Sequence, residues 1–384
     1  MDFSFSDEQR ALEESMQRLL AREYGFERRR AIERSAEGWS RETWRALADL
    51  GVLGINVPEE YGGLGQGALE TLIVMNLFGR ALLLEPFLPS AVTASLLLQE
   101  LASPEQRAAW LPSLAQGERI ASLAHFEPGA RYDSRHVETR AQPRSGGYLL
   151  QGRKGLVEHA EAADVLLVSA RGSGEASAPR GVSLFLVPRD APGVRLHGYR
   201  MLDGRRAADV TLESVGVASA VRLGGEGDAL AAIERSLDFA LAALCAEAVG
   251  CMQALLDATV AYLKTRQQFG RPIGSFQALQ HRAADMLLEL EQARSMSYLA
   301  AMRCTARDEH ERRRVMSAAK ATINRAARFV SQQAVQLHGG MGMTDELQVS
   351  HWFKRLACIE MTLGDTDTHV ARFAALARGE ARSD

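Results

Sequence analysis

Cysteine is scarce in this sequence: four residues in 384, at positions 245, 251, 304 and 358, with neither C-x-x-C nor His-paired spacing. That excludes a disulfide framework and a structural zinc site, and no set of metal ligands is expected. All four fall in helical patterns and read as reduced core thiols. An excess of positive charge is also missing. Lys and Arg total 45 against 48 Asp and Glu, a net charge of −3, which leaves no basic footprint for nucleic acid. The amino terminus, Met1-Asp-Phe-Ser-Phe-Ser-Asp-Glu, is acidic where a secretory signal would be basic, and no apolar run follows. A cytoplasmic location is therefore expected. The most apolar stretch, Phe239 to Leu256, contains Glu247 and falls short of the roughly 20 uninterrupted residues of a membrane helix. Internal repeats and low-complexity tracts are absent.

What the chain does contain is a change of texture, from helix to strand and back. From Ser6 to about Gly117 apolar positions recur at helical spacing, as in Leu12, Met16, Leu19, Leu20 and in Trp44, Leu47, Leu50, with Ser6 or Asp7 able to cap the first helix. The segment Val57-Pro-Glu-Glu-Tyr-Gly-Gly63 is a turn. From Ile120 to about Leu223 come short β-prone runs such as Tyr148-Leu-Leu, Val165-Leu-Leu-Val168, Val182-Ser-Leu-Phe-Leu-Val187 and Val210-Thr-Leu, separated by Gly-rich loops. Strands without intervening helices imply a small antiparallel barrel or sandwich. From Asp228 to Arg378 long helical segments return, broken at Gly270-Arg-Pro272 and Gly339-Gly340, and four packed helices would cover their apolar faces. The expected organisation is mainly α with a β middle domain: a helical domain at 1–119, a β domain at 120–224 and a helical bundle at 225–384.

Several segments then resemble, in order along the chain, those of the acyl-CoA dehydrogenase flavoproteins. Tyr262-Leu-Lys-Thr-Arg266-Gln-Gln-Phe269-Gly270-Arg-Pro272-Ile-Gly-Ser-Phe276-Gln277 is similar to that family's R-x-x-F-G turn, and Ala334-Val-Gln336-Leu-His-Gly339-Gly340-Met-Gly342 to its A-x-Q-x-x-G-G-x-G segment. His125-Phe126-Glu127-Pro128-Gly129-Ala130-Arg131-Tyr132-Asp133 resembles T-E-P-x-x-G-S-D, and Gly152-Arg-Lys154-Gly-Leu156-Val157-Glu158-His159-Ala160 resembles G-x-K-x-W-I-T-N-A. The resemblance implies the acyl-CoA dehydrogenase fold, FAD as cofactor and an acyl-CoA thioester as substrate. It implies flavin contacts from His125, Phe126, Tyr132, Leu156, Glu158, Arg266, Gln268, Phe269, Ile273, Phe276, Gln336, Leu337, Gly340, Asp365 and Asp367. It also implies substrate contacts from Tyr132, Asp238 and Leu241.

The resemblance breaks at the base that must take the substrate α proton. Leu363-Gly364-Asp365 stands where the family has Glu-Gly-Thr, and a leucine accepts no proton. A second seat used by some relatives, on the first helix of the last domain, falls at Ala240-Leu241. Asp365 and Glu158 are weak substitutes. Glu247, seven residues beyond Ala240 and so about 10 Å along the helix, reads more readily as a hydrogen-bonded polar residue of the bundle.

Together with Leu363-Gly-Asp-Thr-Asp-Thr-His369, the pattern is most similar to small subunits of pimeloyl-CoA-dehydrogenase-like enzymes. Three readings stay open: an FAD-dependent acyl-CoA dehydrogenase in its own right; a non-catalytic or half-site subunit of an α2β2 assembly; and a flavin monooxygenase of the same fold. The implied partners are an electron acceptor such as an electron-transfer flavoprotein and either further copies of this chain, as a homodimer or homotetramer, or a large subunit.

Overall fold

The computed structural model describes residues 5–379. Helices α1 (Asp7–Glu23), α2 (Phe26–Arg34), α3 (Arg41–Asp49) and α4 (Ala68–Ala81) come first. A π-helical stretch, Phe87–Ala94, runs into α5 (Ser95–Leu101), and α6 (Pro104–Ala115) follows. The strands are β1 (Ala121–Ala124), β2 (Arg140–Arg144), β3 (Gly147–Glu158), β4 (Val165–Arg171), β5 (Val182–Pro188), β6 (Val194–Arg200), β7 (Arg206–Ala218) and β8 (Arg222–Leu223). After α7 (Leu230–Thr265), a hairpin of β9 (Gln267–Gln268) and β10 (Arg271–Pro272) leads to α8 (Gln277–Arg303), α9 (Glu309–His338), α10 (Gln348–Met361) and α11 (Thr366–Ala377).

The chain forms two compact units. One comprises residues up to Ala31, Ala68–Leu83 and the chain from Leu241 onward; the other comprises Ile32–Gly67 and Leu84–Ala240. The β-containing unit is built on an eight-stranded sheet in the order β6-β7-β3-β2-β4-β5-β8, with β1 on β4. Most neighbours are antiparallel, as the alternating strands and tight turns imply. Two pairings are parallel, β1 with β4 and the single contact of β2 with β4 at Arg140 and Arg171, so the sheet is mixed rather than purely antiparallel. Strand β4 is buried along its whole length, and Val165, Leu167, Leu184 and Leu186 share a core with Leu97, Leu111 and Ile233.

The helical unit, whose strands are the short β9–β10 hairpin, starts from α1, whose amino end is closed by a capping box: Ser6 Oγ accepts from Gln9 N while the Gln9 side chain accepts from Ser6 N. Helix α8 packs along α9, and α9 also carries α10 and α11. Among the described residues the carboxy-terminal segment carries five helices, α7 to α11, against the four expected, with separate breaks at Cys304–Asp308 and at Thr362–Asp365. Helix α7 is, by length and composition, able to cross a membrane, but its most apolar stretch is 94 % buried within the protein. Length does not argue against a span, then; burial makes α7 a core helix.

Glycine lets α4 and α7 touch backbone to backbone. A Cβ on Gly79 would lie 2.0 Å from the Glu247 carbonyl oxygen, and one on Gly250 would lie 1.9 Å from that of Asn76. Cys251 Sγ donates to the Gly79 carbonyl at 3.2 Å across the same crossing. Beside it the fully buried Glu247 accepts a bidentate pair from Arg355, Nε to Oε1 at 2.8 Å and Nη2 to Oε2 at 2.7 Å. Gly250→Ala must push the helices apart and is expected to cost about 1–3 kcal/mol, the usual penalty of overpacking. The check is chemical denaturation against Gly25→Ala, whose added Cβ meets nothing within 4 Å; equal midpoints for the two variants would contradict the close crossing.

Candidate functional site

In the β-containing unit, residues of two separate sequence motifs meet through one buried ion pair. Lys154 Nζ, fully buried on β3, donates to Glu127 Oε1 at 2.6 Å, to Ser169 Oγ at 2.9 Å and to the His125 carbonyl at 3.2 Å. Glu127 also accepts from the main-chain N–H of Glu138 at 2.7 Å and of Thr139 at 3.1 Å. The loop 125–133 is thereby fastened to β3, and Gly155 N donates to the Phe126 carbonyl at 2.8 Å. Burial pulls Lys154 down to about 8 against the opposing pull of Glu127. For Glu127, burial pushes its pKa upward, but the Lys154 charge and the donated hydrogen bonds outweigh it and hold the carboxyl below its ordinary range. Burial, then the Lys154 charge, lowers His125 to about 4, so it is neutral at pH 7 and its Nδ1 pairs with Ser169 Oγ at 2.9 Å.

The fastened loop places Phe126 and Tyr132 half-buried, and its far end is tied to α7 by Ser134 Oγ donating to Glu234 at 2.7 Å. A register shift between Lys154 and Val157 bulges β3, so that Leu156 turns outward, 53 % exposed. Its N–H donates to Asp209 Oδ1, which also accepts from Tyr199. Glu158 ends the strand half-buried, its carbonyl accepting from Ser122 Oγ at 2.6 Å. Asp238 is half-buried on α7.

The helical unit carries the other cofactor candidates. Helix α7 ends at Thr265, and β9 and β10 make a hairpin whose two turn residues, Phe269 (φ 54°) and Gly270 (φ 76°), both have positive φ. Glycine accepts this readily; phenylalanine does not. Phe269 is nevertheless held there 89 % exposed, edge-on to Phe276 at 6.0 Å, with the Arg271 guanidinium 4.2 Å over the Phe276 ring. Arg266 and Gln268 are exposed and Ile273 half-buried beside them. At the end of α9, Gln336 and Gly340 are exposed and Leu337 is buried, and a Cβ at Gly339 or Gly340 would meet nothing within 4 Å. An exposed guanidinium, an exposed ring and open glycine main chain suit an anionic, planar, aromatic group. Leu241 is buried in this unit.

Leu363 sits on a turn held rigidly from behind. Buried Lys320 on α9 donates to Asn324 Oδ1 at 2.9 Å and to the carbonyls of Ile359 at 2.7 Å, Glu360 at 3.3 Å and Gly364 at 3.3 Å. Burial lowers His369 to about 3, so it is neutral, and its Nε2 donates to the Leu363 carbonyl at 3.0 Å. Leu363 itself has φ 58° and Gly364 φ 116°. Asp365, one weak substitute for the base, is the N-cap of α11, accepting from Thr368 N at 2.8 Å, and Asp367 is exposed in its first turn. Glu247 is committed to Arg355. Neither is poised for proton transfer.

Of seven non-glycine residues with positive φ among the described residues, five (Arg131, Leu156, His159, Phe269 and Leu363) lie in the segments singled out by sequence. Each costs on the order of 1–3 kcal/mol, and such strain gathers where function holds the backbone. Among the described residues no group of three His, Cys, Asp or Glu could hold a metal.

Three family models cover nearly the whole chain: acyl-CoA dehydrogenase N-terminal domain over residues 6–118, middle domain over 122–215 and C-terminal domain over 227–377. The chain belongs to the acyl-CoA dehydrogenase family. Among curated relatives, it is 34% identical over 315 residues, 80% of this chain and 82% of the relative, to an L-prolyl-[peptidyl-carrier protein] dehydrogenase of Pseudomonas fluorescens. Among solved structures it resembles a variant of the Tcur3481-Tcur3483 steroid ACAD (31% identity, TM-score 0.87, covering 98% of this chain and 99% of that one). It also resembles the FAD complex of PigA (28% identity, TM-score 0.88, covering 99% and 100%).

Sequence reasoning found the motif segments of this acyl-CoA dehydrogenase but missed what fastens them. Glu127 and Lys154 were both in view, though not as a pair. Lys320 was legible only as a cation among Met316, Ala319, Ile323 and Ala327, on the apolar face of α9. Removing one partner of a buried pair strands the other, so Lys154→Met is expected to cost about 3–5 kcal/mol. Adding Glu127→Gln, which keeps an acceptor for Glu138 N and Thr139 N, should return part of it. Chemical denaturation reads both, and a double variant less stable than Lys154→Met would contradict the pairing.

Proposed function

We propose that this chain is an FAD-dependent oxidoreductase serving the α,β-dehydrogenation of an acyl-CoA thioester. What supports the reading above all is that the strained hairpin at Phe269 with its exposed Arg266 and Gln268, and the exposed Gln336, Gly339 and Gly340 at the end of α9, are carried on one helical unit. Arg266 would meet the diphosphate through charge-assisted hydrogen bonds. Phe269, Phe276, Gln268 and Ile273 would flank the cofactor, and the open main chain at Gly339 and Gly340 would allow close approach. By the resemblance, His125, Phe126, Tyr132, Leu156 and Glu158 would be further flavin contacts, and Tyr132, Asp238 and Leu241 contacts to the thioester. Bound FAD would supply the acceptor for the hydride leaving the β carbon. The domains are read as 1–119, 120–224 and 225–384, and the four thiols suit a cytoplasmic setting.

One observation favours a division of labour. The turn that would present the base is intact, clamped by Lys320 and His369, yet it presents Leu363, and Ala240 fills the other seat. In this second reading the chain is the small subunit of an α2β2 assembly, contributing flavin contacts while a large subunit supplies the carboxylate. The steroid ACAD that the chain resembles is named for two proteins, Tcur3481 and Tcur3483, which supports this second reading. The reduced flavin would pass its electrons to an electron-transfer flavoprotein.

Arg266→Ala should lose most bound FAD on purification; a variant with wild-type flavin content would remove the diphosphate assignment. Leu363→Glu should raise the rate at which acyl-CoA bleaches the flavin anaerobically. General bases contribute on the order of 10²- to 10⁴-fold, and a partial gain within that range is expected because Phe126, Tyr132 and Glu158 also depart from the family pattern. A rate equal to wild type would mean that more than the base is lost.

A further inference from the structure

The two cofactor segments lie about 65 residues apart in sequence, yet the structure joins them at one point. The Tyr262 ring, one turn before α7 ends, stacks on the His338 ring at the last residue of α9, with centroids 4.5 Å apart and planes at 27°. His338 is buried, and its Nδ1 donates to the Ala334 carbonyl at 2.8 Å, which fixes the ring against its own helix. Each segment is packed down beside this stack. A Cβ on Gly342 would lie 2.8 Å from the Val335 carbonyl oxygen and 3.1 Å from His338 Cβ, and one on Gly274 would lie 2.9 Å from the Leu263 carbonyl oxygen. The loop after α9 is thus folded onto His338, and the turn after the hairpin onto the residue next to Tyr262.

We propose that Tyr262 and His338 are positioning residues whose stack fixes the Arg266 hairpin and the Gly339–Gly342 loop relative to one another, so that a dinucleotide ordering one segment finds the other already placed. This rests on the reading that those segments hold FAD. Neither side chain need touch the cofactor. Breaking the stack should then act on cofactor affinity and on local mobility more than on global stability, and a ring of similar shape should restore it.

The test compares His338→Ala with His338→Phe in the full chain, measuring FAD affinity by flavin titration of apoprotein, thermal unfolding of the apoprotein, and hydrogen exchange at 267–272 and 339–343. An aromatic pair is typically worth enough to shift affinity about three- to tenfold, so His338→Ala should weaken FAD binding by that factor and speed exchange in both segments. His338→Phe should bind within about twofold of wild type, since the stack survives. Wild-type affinity in His338→Ala, or a His338→Phe variant as weak as His338→Ala, would overturn the inference. So would faster exchange confined to 339–343, because the stack would then not reach the hairpin. An affinity loss fully matched by a fall in apoprotein melting would make the stack merely structural and overturn it as well. Arg266→Ala separates the two levels: if that variant keeps its FAD, the cofactor reading itself fails; if it loses FAD while His338→Ala does not, only the coupling fails.

Discussion

A lysine ammonium buried away from solvent must find oxygen, and in this chain it finds main-chain oxygen at the turn that carries Leu363. Lys320 gathers the last carbonyls of α10 and the carbonyl of Gly364 around one charge. The end of a helix carries unpaired carbonyls and a partial negative charge, so a buried cation there is stabilising on two counts. His369, kept neutral by burial, holds the next carbonyl. Leu363 therefore has its place set by groups behind it, whatever its own side chain can do. The turn is firmly held, and the side chain it presents accepts no proton.

The β-containing unit uses the same device. Lys154 and Glu127 are costly to bury singly and are therefore buried together, and their pairing draws a loop and a strand from distant parts of the sequence to one place. Around both anchors the backbone is strained at Arg131, Leu156, His159 and Leu363. Strain of that kind persists only where the surroundings over-determine it. The buried cations provide that determination in each unit by itself.

Much of the fold was legible because it rests on periodicity and punctuation. Helical spacing before Gly117, short β-prone runs to Leu223 and helical spacing thereafter became α1 to α6, the eight-stranded sheet and α7 to α11. The parallel contacts of β4 were not legible, since period-two alternation says nothing of strand direction. The helix count of the last segment was not legible, since the carbonyls at the end of α10 are gathered by a lysine about 40 residues upstream. The motif residues of the candidate site could be named from local sequence. The groups that hold them, Lys320, His369, Tyr262 and His338, act through contacts between elements, which no single window contains. Glu247 read correctly as a polar residue of the bundle, and its partner Arg355 lies 108 positions away.

If this acyl-CoA dehydrogenase chain holds FAD but presents no carboxylate at the Leu363 turn, acyl-CoA should reduce its flavin only slowly. Anaerobic stopped-flow mixing of the FAD-loaded chain with short, long and dicarboxylic acyl-CoA thioesters, with and without a large subunit carrying the glutamate, tests this most directly. The predicted result is slow flavin bleaching by the chain alone and rapid bleaching only with the partner present. Rapid bleaching by the chain alone would contradict this and require a base other than Leu363 or Ala240, with Asp365 and Glu158 the residues to substitute first.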